Sequence, residues 1–280
     1  MQYGGGKGNN AARALHNLGT PVIATGYQGG TIGEWIIQNF TSEGVETNFL
    51  RCAAGTRTSL MLIEEETNDT FAIYEPGQQV TPDEIEAFKA HFITLLPTAT
   101  MALFCGSAQT APLAQLVKEL ITLAEAKGVK CALDGSGLAL KEGVKANPSL
   151  LKVNREELSE LVDHPLTDES DQVKAMLEMR RRGISIVALT RGKNGLLITN
   201  GQDFLEGILV MDNVVNVMGC GDSTLAGMAK GISENASLEE VARLAVACGA
   251  ANTQVIGAGF ISPTLVKTLT NQVLIRRLNF

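Results

Sequence analysis

Val217-Met218-Gly219-Cys220-Gly221-Asp222-Ser223-Thr224-Leu225-Ala226-Gly227 is the stretch around which the chain is organised. An apolar run ends in three small residues, an aspartate follows at once, and small and apolar side chains continue at helical spacing. That order reads as a strand, a tight turn and the start of a helix. N–H groups in the first turn of a helix have no intrahelical acceptor and lie at the positive end of the helix dipole. Residues 219 to 221 are therefore suited to hold an anion. Asp222 sets a carboxylate beside that anion, which is unfavourable unless the carboxylate has a use, such as taking a proton from an attacking hydroxyl. Taken alone, the segment has a second reading: an aspartate capping a helix entered through glycines.

With 280 residues, the chain can bury a sizeable core as one domain. Apolar residues make up 45% and charged residues 19%, a globular balance. The formal charge of −7 argues against a broad nucleic-acid surface but leaves room for a small basic pocket around a phosphate ester. The cysteines at 52, 105, 131, 220 and 248 form no CxxC pair and no metal spacing, as expected of buried thiols in a reducing compartment. His16, His91 and His164 share no motif. No apolar stretch is long enough to span a bilayer and no basic segment precedes an apolar one, so a cytoplasmic protein without a membrane partner is expected.

Outward from the central stretch, buried strands alternate with amphipathic helices. Strands are expected at 101–105, 129–133, 150–153 and 184–189, and helices at 81–96, 111–126 and 168–182. Thr81-Pro82-Asp83-Glu84 is a start signal for the first helix. This alternation is the pattern of a parallel sheet covered on both faces, in which ligands gather beyond the carboxyl ends of the strands. Further helices are expected at 223–232, 238–251 and 262–269. Nearer the N-terminus, a short strand at 21–25 and a helix at 32–40 are followed by strands at 60–63 and 71–74. Those two strands flank the acidic turn 64–69, a hairpin that suggests a small sheet beside the main one. The run Glu64-Glu65-Glu66 reads as a solvated turn. The cluster Gly4-Gly5-Gly6-Lys7-Gly8-Asn9-Asn10 precedes a helical stretch at 11–15; it is not a Walker A loop, because Gly8 stands where a Ser or Thr is required.

Gly219-Cys220-Gly221-Asp222 resembles the Gly-(Ala/Cys)-Gly-Asp signature of the PfkB carbohydrate kinase family, and Gly5-Gly6-Lys7-Gly8-x-Asn10 resembles that family's first signature. The resemblance implies a ribokinase-like three-layer α/β/α sandwich with a mostly parallel central sheet. A small β lid is implied at roughly 45–75, within a single domain over 1–280. About thirty residues that family members carry ahead of the first signature, with part of the lid, are expected to be missing.

The resemblance makes Asp222 the base and Gly219, Cys220 and Gly221 the anion hole. Gly6, Lys7, Asn10 and Arg57 are directed to the sugar phosphate, with Ser107 a weaker match, equally suited to capping the next helix. Thr190, Gly192 and Gly195 fall beside the nucleotide phosphates, where a plain turn explains the glycines as well, and Arg191 replaces a commonly apolar residue. Asn252 falls at the adenine end. Asn154 and Glu157 match an Asn-x-x-Glu pair that supports magnesium through water; the same spacing is a capping box, and the two roles are compatible.

The implied cofactors are ATP and Mg2+, the implied partner a small sugar phosphate, and the implied assembly, if the lid is complete, a homodimer through the lid sheet. The expected reaction is phosphorylation of a ketohexose phosphate, with tagatose 6-phosphate first and the fructose phosphates as alternatives. No single residue separates these acceptors. A non-catalytic nucleotide or sugar-phosphate binding protein is the alternative from a different class.

Overall fold

The computed structural model describes residues 2–64, 70–77 and 79–278. The chain opens with α1 (Lys7–Asn17), entered from Gly6 at φ 108° and held by a buried stripe of Ala11, Ala14 and Leu15. Two short strands, β1 (Ile23–Ala24) and β2 (Tyr27–Gln28), lead to α2 (Gly30–Glu43). Gly44 stops α2 in the left-handed region at φ 79°. Then come β3 (Glu46–Thr47), β4 (Leu50–Arg51) and an antiparallel hairpin of β5 (Ser59–Ile63) and β6 (Thr70–Tyr74). Glu65 and Glu66 of the acidic turn lie outside the described residues.

The α/β body follows with α3 (Pro82–Leu95), β7 (Met101–Ser107), α4 (Ala111–Ala126), β8 (Lys130–Ser136), α5 (Gly137–Gly143), β9 (Leu150–Asn154), α6 (Arg155–Val162), α7 (Glu169–Arg181) and β10 (Ile186–Thr190). Thr81 caps α3 in a reciprocal capping box with Glu84. The remainder is β11 (Leu196–Thr199), β12 (Phe204–Ile208), α8 (Cys220–Ser233), α9 (Leu238–Asn252), α10 (Pro263–Thr270) and β13 (Leu274–Arg277).

Seven strands form the central sheet in the order β13-β12-β11-β10-β9-β8-β7. Strands β7 to β10 are parallel, joined by helical crossovers, while β10 to β13 pair antiparallel. The sheet is thus mixed, because a five-residue turn joins β10 to β11, and so short a link permits only an antiparallel neighbour. Strands β12 and β13 and helix α5 carry no clear sequence signal and extend the expected pattern.

Alternate residues of each strand feed two cores. Ala132, Leu150 and Ala188 pack with α1, α8, α9 and α10 on one face; Leu133, Leu151 and Leu189 pack with α3 to α7 on the other. The result is a three-layer α/β/α sandwich, with the small β5-β6 sheet beside it. One expectation fails: the apolar residues before Gly219 form no strand. Val214, Val215 and Val217 are 45%, 46% and 68% exposed, and the segment is pinned as a loop by hydrogen bonds from Val215 N and Asn216 N to Thr253 O. The sheet is already complete at β12 and β13, so these valines have no ladder to join.

Candidate active site

Side chains from five elements meet beyond the carboxyl ends of β8 and β9. Period-two alternation in β8 sends Asp134 to the same face as Ala132, and in β9 it sends Lys152 to the face of Leu150, both toward α1 and α8. Asp134 is fully buried and held between two ammonium groups, Lys7 Nζ at 2.9 Å on Oδ1 and Lys152 Nζ at 2.8 Å on Oδ2. Lys7 Nζ also donates to Glu157 Oε1 at 3.3 Å. Burial opposes the charge on Lys7, but Asp134 and Glu157 outweigh it and hold the ammonium above its ordinary range. Asp134 and Lys152 were not among the expected site residues. A lysine inside a buried strand was the available signal, since such a charge requires a partner.

Asp222 sits in the first turn of α8 and is 7% exposed. Burial raises its carboxyl above the ordinary carboxylate range and Asp134 adds to this, while the Asn10 hydrogen bond, Lys152 and Lys7 pull it back. Asn10 Nδ2 donates to Asp222 Oδ2 at 2.7 Å, and Asn10 Oδ1 is buried without a partner among the described residues. Lys7 and Asn10 were expected in an entry loop. They lie instead on the first turn of α1, one turn apart, so both face α8 and the ends of the parallel strands.

The turn itself is built by Gly219, in the left-handed region at φ 79° as N-cap of α8. A Cβ there would lie 2.4 Å from Ala258 Cβ, so the loop 257–259 presses directly against the turn. Cys220 N–H turns back to Val217 O at 3.3 Å. Beyond it, the N–H groups of Gly221 and Asp222 have no acceptor among the described residues. Lys152 Nζ lies 3.0 Å from the point a Cβ on Gly221 would occupy, so this glycine admits the ammonium beneath the turn. Burial pushes the Cys220 thiol up to about 11, against the Asn252 hydrogen bond, and it stays uncharged at neutral pH.

The remaining candidates divide. Asn154 caps α6, with Oδ1 accepting from Glu157 N and Glu157 Oε2 accepting from Asn154 N, each at 2.9 Å. The pair is thus a capping box whose outer carboxylate oxygen reaches Lys7. Thr190 ends β10, its hydroxyl donating to Val153 O at 3.2 Å. Gly192 and Gly195 shape the following turn at φ 57° and 81°; a Cβ on Gly195 would lie 2.1 Å from Gly207 O. Arg191 holds that turn through Asn194 O at 3.0 Å, Glu169 at 3.0 Å and Glu206.

Asn252, expected at the adenine end, is fully buried behind the turn at Gly219. Its Nδ2 donates to Met218 O at 2.7 Å, and its Oδ1 accepts from Gly259 N at 2.8 Å and Ser223 Oγ at 2.9 Å. Arg57 is exposed near the root of the hairpin, its guanidinium on Glu75 O at 3.5 Å, outside the cluster. Ser107 is exposed at the end of β7 and accepts from Gln109; the cap of α4 is Thr110. Gly6 is the N-cap of α1. Two half-open surface hollows, of about 270 and 140 Å3, lie elsewhere, the first lined by Lys130 and Ile186 and the second by Gly29 and Cys52.

Chemically, this is a carboxylate of raised proton affinity, fixed by an amide, beside two free N–H groups and a buried ammonium. It can accept a proton and stabilise an anion at adjacent points.

Residues 1–265 match the pfkB family of carbohydrate kinases. Tagatose-6-phosphate kinase of Staphylococcus epidermidis is 29% identical over 272 residues, covering 96% of this chain and 87% of the relative. Phosphofructokinase-2 of Escherichia coli superposes with a TM-score of 0.90 in its complex with potassium and 0.86 in its complex with fructose-6-phosphate. Each shares 28% identity and covers 96% of this chain and 87% of that one. A possible 1-phosphofructokinase of Thermotoga maritima shares the fold at a TM-score of 0.88 and 22% identity, covering 98% of this chain and 88% of that one.

Proposed function

The chain belongs to the pfkB family of carbohydrate kinases, and from that premise we propose that it transfers the γ-phosphoryl group of ATP to a ketohexose phosphate, fructose 6-phosphate first. The enzyme class, an ATP-dependent sugar-phosphate kinase, follows from the family. The choice of acceptor rests on the similarity to phosphofructokinase-2, whose complex with fructose-6-phosphate superposes at 0.86. Tagatose 6-phosphate, the acceptor in the name of the Staphylococcus epidermidis relative, becomes the second choice.

The residues present fit a magnesium nucleotide. Lys152 and the N–H groups of Gly221 and Asp222 make a cradle that a Cβ at 221 would fill, which suits a phosphoryl group. Among the described residues no cluster of three or more His, Cys, Asp or Glu could hold a metal by itself. Asn154 Oδ1 and both Glu157 oxygens already accept hydrogen bonds, so these residues suit contact with magnesium through its retained waters. When bound, magnesium-ATP supplies the transferable phosphoryl group and neutralises part of its charge.

Asn10 holds Asp222 by Oδ2 and leaves the other carboxylate oxygen for the acceptor hydroxyl, the 1-hydroxyl of a ketohexose 6-phosphate. Asp222 takes that proton as the hydroxyl oxygen bonds to phosphorus and the bond to ADP breaks. The N–H groups of Gly221 and Asp222, with Lys152 beneath them, hold the charge on the phosphoryl oxygens. In this reading Lys7, and Arg57 from outside the cluster, serve the acceptor's own phosphate, and Thr190, Gly192 and Gly195 the phosphates of the nucleotide.

The observation that carries this reading is Asp222 at the start of α8 beside two free N–H groups. The test is ADP release with fructose 6-phosphate, tagatose 6-phosphate, fructose 1-phosphate and ribose, repeated with Asp222→Asn. Preference for a phosphorylated ketose is expected, and Asp222→Asn should lower kcat about 10²- to 10⁴-fold while ATP affinity stays within about threefold. ATP binding with no turnover on any acceptor would sink the proposal in favour of a non-catalytic binding protein.

The assembly we propose is a homodimer through the lid. Leu60 pairs with Ile73 and Leu62 with Phe71, and these four side chains, 51% to 61% exposed, share one face of the β5-β6 hairpin. A second copy of the same sheet is self-complementary to such a face.

A further inference from the structure

Arg13 is the most deeply buried cation outside the cluster on Asp134. It is 1% exposed, one helical turn after Asn10 on α1. Its guanidinium lies 4.5 Å from the ring centre of Phe260, 4.9 Å from Phe40 and 5.8 Å from Tyr3. Around the edge it donates from Nε to Glu43 Oε2 at 2.6 Å and from Nη2 to Glu43 Oε1 at 3.3 Å. Nη2 also donates to Gly4 O at 2.9 Å, and Nη1 donates to Ala258 O at 3.2 Å. A planar fork with five donors can make this set of bonds while stacking on rings; a point charge on a flexible stem cannot.

The partners belong to parts of the chain with different tasks. Gly4 lies in the glycine cluster entering α1. Glu43 is the last residue of α2, immediately before the stretch that leads through β3 and β4 to the lid hairpin. Ala258 is the residue against which Gly219 packs, and Gly259 N–H holds Asn252 Oδ1, which itself accepts from Ser223 in α8. A Cβ on Gly259 would lie 2.4 Å from Asn10 O, so that loop also touches the turn of α1 carrying the partner of Asp222. Asn17 Nδ2 donates to Gly259 O at 3.1 Å on the same side.

We propose that Arg13 is a positioning residue for phosphoryl transfer: it locks the glycine entry, the root of the lid and the loop behind the anion turn to α1, and so fixes Asn10 against Asp222. This rests on the proposed kinase reading for its consequence in turnover, though not for its geometry. Arg13 touches neither acceptor nor nucleotide. Its effect travels through Asn10 on one side and through Ala258 and Gly219 on the other.

The test uses the full chain with Arg13→Lys, which keeps the charge and loses the fork, and Glu43→Gln, which keeps the fork and weakens its anchor. Two measurements are made on each: steady-state kinetics, and amide hydrogen exchange by segment. For Arg13→Lys, kcat is expected to fall about 10- to 100-fold with KM for ATP within about threefold, as a misplaced base requires. Exchange should quicken about tenfold in segments 4–10, 217–223 and 255–260 while β9 to β11 keep wild-type protection. Glu43→Gln should show the same pattern more weakly. A kcat within about twofold of wild type would overturn the proposal. So would exchange that is unchanged, or raised equally in β9 to β11, since a merely stabilising residue loosens the whole fold. If the wild type turns over none of the acceptors, the kinase reading fails on its own, and the exchange pattern alone decides the role of Arg13.

Discussion

Asp222 illustrates how one carboxylate carries opposing demands. Burial raises its proton affinity, and the Asn10 hydrogen bond lowers it, so the two act in opposite directions on the proposed base. Asn10→Ala removes the hydrogen bond that lowers this proton affinity, so the acidic limb of the kcat profile should move to higher pH. An unmoved limb would show that Asn10 does not tune the base. Stability follows the same sign. A carboxyl whose folded-state affinity is raised favours folding only while protonated, and that contribution is lost as pH rises through its folded value. Asp222→Asn should therefore melt above wild type at pH 8, with the gap closing as pH falls through the raised folded value and largely gone by about pH 4. A lower melting temperature at pH 8 would contradict a destabilising buried charge.

At the scale of elements, the anion turn depends on a contact between two glycine-rich loops distant in sequence. Gly219 has both a left-handed backbone and Ala258 Cβ only 2.4 Å from where its own Cβ would stand. Gly219→Ala should lose about 1–3 kcal/mol in urea unfolding together with most of the turnover. Gly55→Ala, with nothing within 4 Å of the added methyl, should stay within about 0.5 kcal/mol. Equal effects at the two sites would mean that the loop packing at 219 is slack. Helix caps, by contrast, are local devices. Thr81-Pro82-Asp83-Glu84 and Asn154-x-x-Glu157 form the boxes their spacing implies, and helix 111–126 has the bounds read from its apolar period.

Across the whole molecule, the sandwich buries its apolar faces on both sides of the sheet, whereas the hairpin leaves one apolar face open. Phe71→Ser with Ile73→Ser should convert a dimer into a monomer, measured by sedimentation over a range of concentrations. A wild-type chain that sediments as a monomer at all of them would remove the lid dimer from consideration. No described helix is long and apolar enough to cross a membrane, and the exposed apolar side chains are concentrated in this hairpin and in the loop before Gly219.

By itself the sequence determined the alternation of buried strands and helices, the caps, the hairpin and the two glycine signatures, because each depends on residues close in the chain. Tertiary structure alone decided the rest. Lys7 and Asp134 are separated by 127 positions and Asn10 and Asp222 by 212, so no local period reports that they meet. Lys152 looked like one residue of a buried strand until the pleat of β9 turned it under Gly221. Val214 to Val217 have the composition of a strand and no neighbour to pair with, and Asn252 has the chemistry of a ligand contact but is fully engaged behind the turn. Apolar period and capping are properties of a segment, whereas the partner of a buried polar group is a property of the packed fold.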